Sequence, residues 1–230
     1  MRDRPVILGL ETEYGIFLQH ASDTDILFAP YDVVNAVKEL NVPLVDRGLE
    51  VNEDDIEEHD EVEKEAQRSL FQHRYANRAE MVASSSGALR QRLGCSGFVL
   101  ETGARYYVDL GHPEYSTPET ENPRTIILAQ KAGDMIVERC RQHAEHLMRA
   151  RSHNRNLSLH IYRNNSDGKG NSYAGHENYS LSPDLFDAII RHPYSSRPTD
   201  RLLIGATLKF LVTRSIIIGA GKVGFEEFEP

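Results

Sequence analysis

The sequence predicts an α+β domain built on antiparallel strands, and three observations carry that prediction. Short runs rich in β-branched and aromatic residues at Val6–Phe17, Phe98–Leu100 and Ala104–Leu110 have the character of strands. The last two are joined at Thr102-Gly103, close enough to form a hairpin. Two longer segments, Pro123–Ala150 and Arg201–Ile218, repeat their apolar residues at helical spacing. At 230 residues the chain is long enough to bury one good core.

Taken in order, Val6–Phe17 reads as one strand punctuated by Gly9 and Gly15. Glu11 and Glu13 are two apart within it, so a strand points both carboxylates at the same face. Tyr31–Leu40 has helical spacing at Val33, Val34, Val37 and Leu40, with Pro30 as its starter. From Glu50 to Glu65 nearly every polar position is Asp or Glu. Such a run repels itself and cannot bury enough apolar surface to order unaided. It reads as a solvated or mobile insertion, or as a loop near the active site that modulates substrate entry. Ala66–Leu93 is partly helical in pattern but broken by Ser84-Ser-Ser-Gly87.

Order returns at Gly97 with the two hairpin strands. In Pro123–Ala150, residues Ile126, Ile127, Ala129, Gln130, Ala132, Gly133, Met135, Ile136 and Cys140 recur at helical spacing. Leu157–Tyr162 alternates like a strand, and Asn164–Gly175 is a Gly/Ser/Asn loop leading into His176. Arg201–Ile218 is closed by Gly219-Ala-Gly221. The sequence then stops in Gly224-Phe-Glu-Glu-Phe-Glu-Pro230 with no settled element, which suggests a piece of something longer.

Composition narrows the function classes. The formal charge is −9 and no apolar run approaches the roughly 18 residues of a membrane span. Pro5–Leu10 is too short for the core of a signal peptide. Cys95 and Cys140 are far apart and lack metal-ligand spacing, which reads as free thiols in a reducing cytoplasm. The acidic balance weighs against nucleic acid as a partner, since phosphate binding needs clustered Lys and Arg.

Three short segments carry chemistry: the strand Glu11-Thr-Glu13, a turn with the pattern Asp-x-x-His-Pro-Glu over Asp109 to Glu114, and His176-Glu-Asn-Tyr179 after a Gly-rich loop. Glu11, Glu13 and Glu114 offer carboxylates suited to Mg²⁺, and His176 offers a nitrogen that Mg²⁺ or Mn²⁺ tolerates. Taken alone, a Glu pair on a strand is usually a solvated face, and a lone His is more often hydrogen-bonded structure than a ligand. Their combination has the layout of a divalent-metal site assembled across a sheet, with one carboxylate left for chemistry, and so of an enzyme. Asp109 ends an apolar strand. Ionised there, it is placed to act as a general base or nucleophile, or simply to cap the turn to Gly111. Asp167-Gly-Lys-Gly170 has the form of a tight turn in which Lys169 could meet phosphate, although its spacing is not that of a Walker loop.

The same residues carry a resemblance. Glu11-Thr-Glu-Tyr-Gly15, Gly103-Ala-Arg-Tyr-Tyr-Val-Asp109, His112-Pro-Glu-Tyr-Ser116, Lys131-Ala-Gly133, Asn164-Asn165, Asp167-Gly-Lys-Gly170, Ser172-Tyr173 and His176-Glu-Asn-Tyr179 are similar to the Pup ligase and Pup deamidase/depupylase family. Phe210-Leu-Val-Thr-Arg214 and Gly219-Ala-Gly-Lys-Val223 continue the match, which spans nearly all the chain except about residues 20 to 95. The resemblance implies a glutamine-synthetase-like fold: a curved antiparallel β-sheet cradle, backed by helices, with ATP and Mg²⁺ in the cradle. It implies Asp109 as the catalytic aspartate, Glu11, Glu114 and His176 as metal ligands, and Glu13, Tyr107, Lys169 and Arg214 as cofactor contacts. It implies Pup and pupylated proteins of the bacterial proteasome pathway as partners.

It also implies that residues 1–230 are the N-terminal part of one catalytic domain, with about 42–96 an acidic, partly disordered insertion and the C-terminal remainder absent. The long insertion before the catalytic hairpin and the wording Asp167-Gly-Lys-Gly170 resemble the deamidase/depupylase branch, whereas Gly219-Ala-Gly-Lys222 is nearer the ligase form. The expected activity is therefore ATP/Mg²⁺-dependent deamidation and depupylation at the C-terminus of Pup. A Pup–protein ligase, a divergent relative acting on another tag or peptide, a non-catalytic Pup-binding or regulatory remnant, and a glutamate–cysteine-ligase-like enzyme are the alternatives.

Overall fold

The computed structural model describes residues 6–45, 97–109, 111–163, 174–191 and 197–217. Most of the expected insertion, together with Cys95, Asn164-Asn165, Lys169, Ser172-Tyr173 and Gly219-Ala-Gly-Lys222, lies outside them.

The framework is a five-stranded antiparallel sheet. Its strands are β1 (Leu8–Glu13), β3 (Gly97–Val99), β4 (Arg105–Asp109), β5 (His112–Ser116) and β7 (Gly175–Tyr179), in the order β3-β4-β5-β1-β7. A second sheet pairs β2 (Gly15–Gln19) with β6 (Ser158–Tyr162). The α+β expectation holds, as does the hairpin expected at Thr102-Gly103, and a second hairpin joins β4 to β5. Gly103 and Gly111 take φ of +85° and +87° at the two turns, a conformation open to glycine at little cost. Asp109 and His112 face each other directly across the second turn.

Three expectations need correction. Val6–Phe17 is two strands rather than one, because Tyr14 gives its N–H to the Pro113 carbonyl at 2.9 Å and Pro113 has no N–H to return. The ladder with β5 therefore ends there, and β2 pairs with β6 instead. His112-Pro-Glu is strand rather than turn, the reversal being confined to the residues just before it. The first helix, α1, spans Asp23–Asn35 and continues as a 3-10 turn, Ala36–Leu40, so Pro30 lies inside it. Its start is set by a capping box: the Ser22 hydroxyl accepts from the Asp25 N–H at 3.1 Å while the Asp25 carboxylate accepts from the Ser22 N–H at 3.3 Å.

Helix α2 (Pro123–Ser152) begins at Asn122, whose side chain accepts the Arg124 N–H, and buries Ile126, Gly133, Val137, Cys140, Ala144 and Met148. That stripe packs on the sheet residues Tyr106, Tyr115 and Leu159, on Leu157 just before β6, and on Val33, Val34 and Val37 of the first helical segment, to form the core. Arg151 of α2 ties the two helices together through Asp25 and Asp32. The short α3 (Pro183–Phe186) and then α4 (Pro198–Ile217) follow β7. Among the described residues no helix is long and apolar enough to cross a membrane.

Candidate active site

Strand alternation decides which side chains meet. Glu13 pairs with Glu114, Tyr107 with Glu114, and Glu11 with His176. Asp109 is two residues beyond Tyr107. All six therefore project from one face of the large sheet. The intervening residues, Thr12, Tyr106 and Tyr115, are buried on the opposite face, which carries the helices.

On the open face the functional groups converge. Ligand atoms of Glu11, Glu114 and His176 lie within 4.8 Å of one another, as do those of Glu13, Asp109 and Glu114. Glu114 belongs to both groups and is their centre. It is 2% exposed and accepts the Tyr107 hydroxyl at 2.6 Å. Burial pushes the Glu114 carboxyl up to about 7; the Tyr107 hydrogen bond opposes this, while Asp109, Glu13 and Glu11 add to it. The Tyr107 hydroxyl is itself pushed up, by burial first and then by its bond to Glu114, so it remains a donor. Arg105 lies over the Tyr107 ring, 4.6 Å from its centroid. Across the sheet, His176 Nδ1 is 3.2 Å from Glu11 Oε2.

Glu13 has a different set of contacts. Its carboxylate accepts the Ala174 N–H at 2.5 Å, and its backbone N–H donates to the Ala174 carbonyl at 3.0 Å. It thus fixes the start of β7 while also facing Glu114. Arg214 is not brought into the cluster. It donates to Glu177 at 2.9 Å, and Glu177 alternates to the face opposite His176.

Sequence reasoning missed the groups beneath this site. The Tyr14 hydroxyl donates to Asp134 Oδ1 at 2.9 Å, and Arg163 reaches both Asp134, at 3.2 Å, and the Thr12 hydroxyl, at 3.4 Å. Gln130 also donates to Asp134. The available signal was Gln130 and Asp134, polar residues four apart beside the buried stripe of an amphipathic helix.

Four carboxylates on one sheet face repel one another, and a hard cation removes that cost. The donor set of carboxylate oxygens with one imidazole fits Mg²⁺ or Mn²⁺ and lacks the thiolates that would favour softer metals.

Residues 6–230 match the family described as Pup-ligase protein. The chain is 34% identical over 219 residues to the depupylase of Acidothermus cellulolyticus, covering 95% of this chain and 37% of that protein. It is 36% identical over 132 residues to the Pup deamidase/depupylase of Mycolicibacterium smegmatis, covering 57% of this chain and 23% of that protein. The chain thus spans little more than a third of the first of these relatives. In fold it is similar to the solved complex between the prokaryotic ubiquitin-like protein Pup and its ligase PafA, with a TM-score of 0.52 at 22% identity over 96% of this chain and 31% of that one. With the match running over 6–230, this chain belongs to the Pup-ligase protein family.

Proposed function

We propose that this chain forms the metal and acyl-transfer site of an ATP- and Mg²⁺-dependent Pup deamidase and depupylase. The observation that carries the reading is the meeting of Glu11, Glu114 and His176 with Glu13 and Asp109 on one sheet face. The names of the two relatives, depupylase and Pup deamidase/depupylase, favour this branch of the family. Gly219-Ala-Gly-Lys222 favours the second reading, a ligase that joins the C-terminal Glu of Pup to a substrate lysine.

Glu11, Glu114 and His176 would hold the cation. When bound, it supplies a polarising positive charge beside the carboxylates and the substrate's phosphate or carbonyl oxygens. Tyr107 orients Glu114 through its hydroxyl, and Glu13 holds the start of β7 so that His176 stays opposite Glu11. Asp109, at the turn end of β4, is the group left to react. Its carboxylate attacks the carbonyl carbon of the C-terminal side-chain amide of Pup, and the C–N bond breaks as the leaving nitrogen takes a proton from water, so that ammonia is released and an acyl-Asp109 bond is formed. In depupylation the lysine amine leaves instead. Water then cleaves the acyl-Asp109 bond, restoring the carboxylate and leaving a glutamate on Pup. In the alternative form of the same step, Asp109 takes the proton from the attacking water. Lys169 is kept as a phosphate contact in this proposal, whereas Arg214, bound to Glu177, is left out of it.

The test is incubation of the protein with Mg-ATP and a Pup ending in Gln, followed by intact mass. Exchange of amide for acid is expected. An unchanged mass, together with a conjugate formed from Pup ending in Glu and an acceptor protein, would replace this reading with the ligase.

A further inference from the structure

Helix α2 meets the underside of the large sheet at one place that bears directly on the carboxylates. Glu13 and Glu114 face each other across β1 and β5, and each is followed by a buried tyrosine, Tyr14 and Tyr115. Two consecutive residues of α2 grip these tyrosines. Gly133 lies so close to the Tyr115 ring that a Cβ there would sit 2.3 Å from two ring carbons. Asp134 accepts the Tyr14 hydroxyl at 2.9 Å.

Tyr14 is also where the chain leaves one sheet for the other, with its N–H on the Pro113 carbonyl. Its neighbours are therefore Glu13 by chain and Glu114 through Pro113. Asp134 is held in turn by Arg163, Gln130 and Lys131, and Arg163 also reaches the Thr12 hydroxyl between Glu11 and Glu13. These contacts lie on the helix side of the sheet, so none of them touches the reacting face. They fix the backbone from which two of the cluster's carboxylates project.

We infer that Asp134 is a positioning residue for the carboxylate cluster: through Tyr14 and Arg163 it sets the spacing of Glu13 and Glu114, and hence the affinity for a divalent cation. The inference rests on the cluster being a cation site. Outer groups that orient metal ligands typically change affinity by about 10- to 100-fold when removed.

The experiment is a titration with Mn²⁺, following free ion by electron paramagnetic resonance, on the wild-type protein and on Asp134→Asn, Tyr14→Phe and Arg151→Met. Arg151 ties α2 to α1 away from the cluster, so its variant reports the effect of lost stability alone. Thermal unfolding is recorded for each protein. The expected result is a loss of about tenfold in Mn²⁺ affinity for Asp134→Asn and Tyr14→Phe, the lower end of that range, with Arg151→Met at wild-type affinity. Wild-type affinity in both site variants would overturn the inference while leaving the cation site intact. Equal weakening in all three would also overturn it, assigning the loss to stability. A wild-type protein that binds no Mn²⁺ would instead overturn the cation-site reading itself, and the inference with it.

Discussion

Glu13 and Glu114 are direct cross-strand partners, and both are nearly closed to solvent, at 8% and 2% exposure. Like charges opposite one another in a sheet are destabilising, and burial makes them more so. The fold tolerates the pair because Glu114 accepts from Tyr107 and Glu13 accepts from Ala174, which leaves one charge too many for the space. A cation, or a proton, is the natural remedy.

The proton version gives a pH prediction for the metal-free protein. Glu114 is raised from 4.5 to about 7. Below the lower value it is protonated in both folded and unfolded chains. Between the two, the folded protein keeps the proton and the unfolded chain releases it. Stability therefore falls as pH rises through that window and levels off above about 7. In chelator, the Tm of the wild type is expected to decline across the window more than that of Glu114→Gln, each kcal/mol showing as about 2–4 °C. Parallel curves would remove Glu114 as the titrating group.

Asp109→Asn tests the division of labour within the cluster. It is expected to abolish amide hydrolysis while leaving Mg-ATP binding almost unchanged, measured by intact mass and by calorimetry respectively. Retained turnover would exclude Asp109 as the reacting group.

Gly133→Ala tests the contact between helix and sheet. The added methyl must push against the Tyr115 ring, held between sheet and helix, so a loss of about 1–3 kcal/mol in urea unfolding is expected. A neutral change would mean that α2 can withdraw from the sheet at no cost.

Deleting about residues 50–65 should leave the fold standing. The described residues on either side of the acidic segment are bonded to one another: Val45 donates to Val99 at 2.9 Å and Glu101 to Pro43 at 3.0 Å. Shortening a segment whose flanking residues already meet changes closure entropy little. Loss of the cooperative thermal transition would contradict this.

Much of the site was legible because it depends on local alternation. Glu11 and Glu13 had to share a face once their segment was a strand, and the Asp109–Glu114 stretch sat beside an apolar run. The long helix was plain from its buried stripe. What escaped was set by partners far along the chain. The break at Tyr14 depends on Pro113, about a hundred residues away, and the role of Asp134 depends on Tyr14 and Arg163. The start of α1 was readable in principle from Ser22-x-x-Asp25, but Pro30 offered a stronger and misleading local signal. Arg214 was expected with the cofactor group, yet the alternation that puts His176 on one face turns its partner Glu177 to the other.

The most direct test of the cation site is anomalous diffraction from crystals of the protein grown with MnCl₂. The account predicts a manganese peak bonded to Glu11, Glu114 and His176, at about 2.0–2.4 Å, the distances of hard-cation coordination. Crystals that diffract well and carry no peak on this face of the sheet, or a peak whose ligands exclude Glu114, would contradict it.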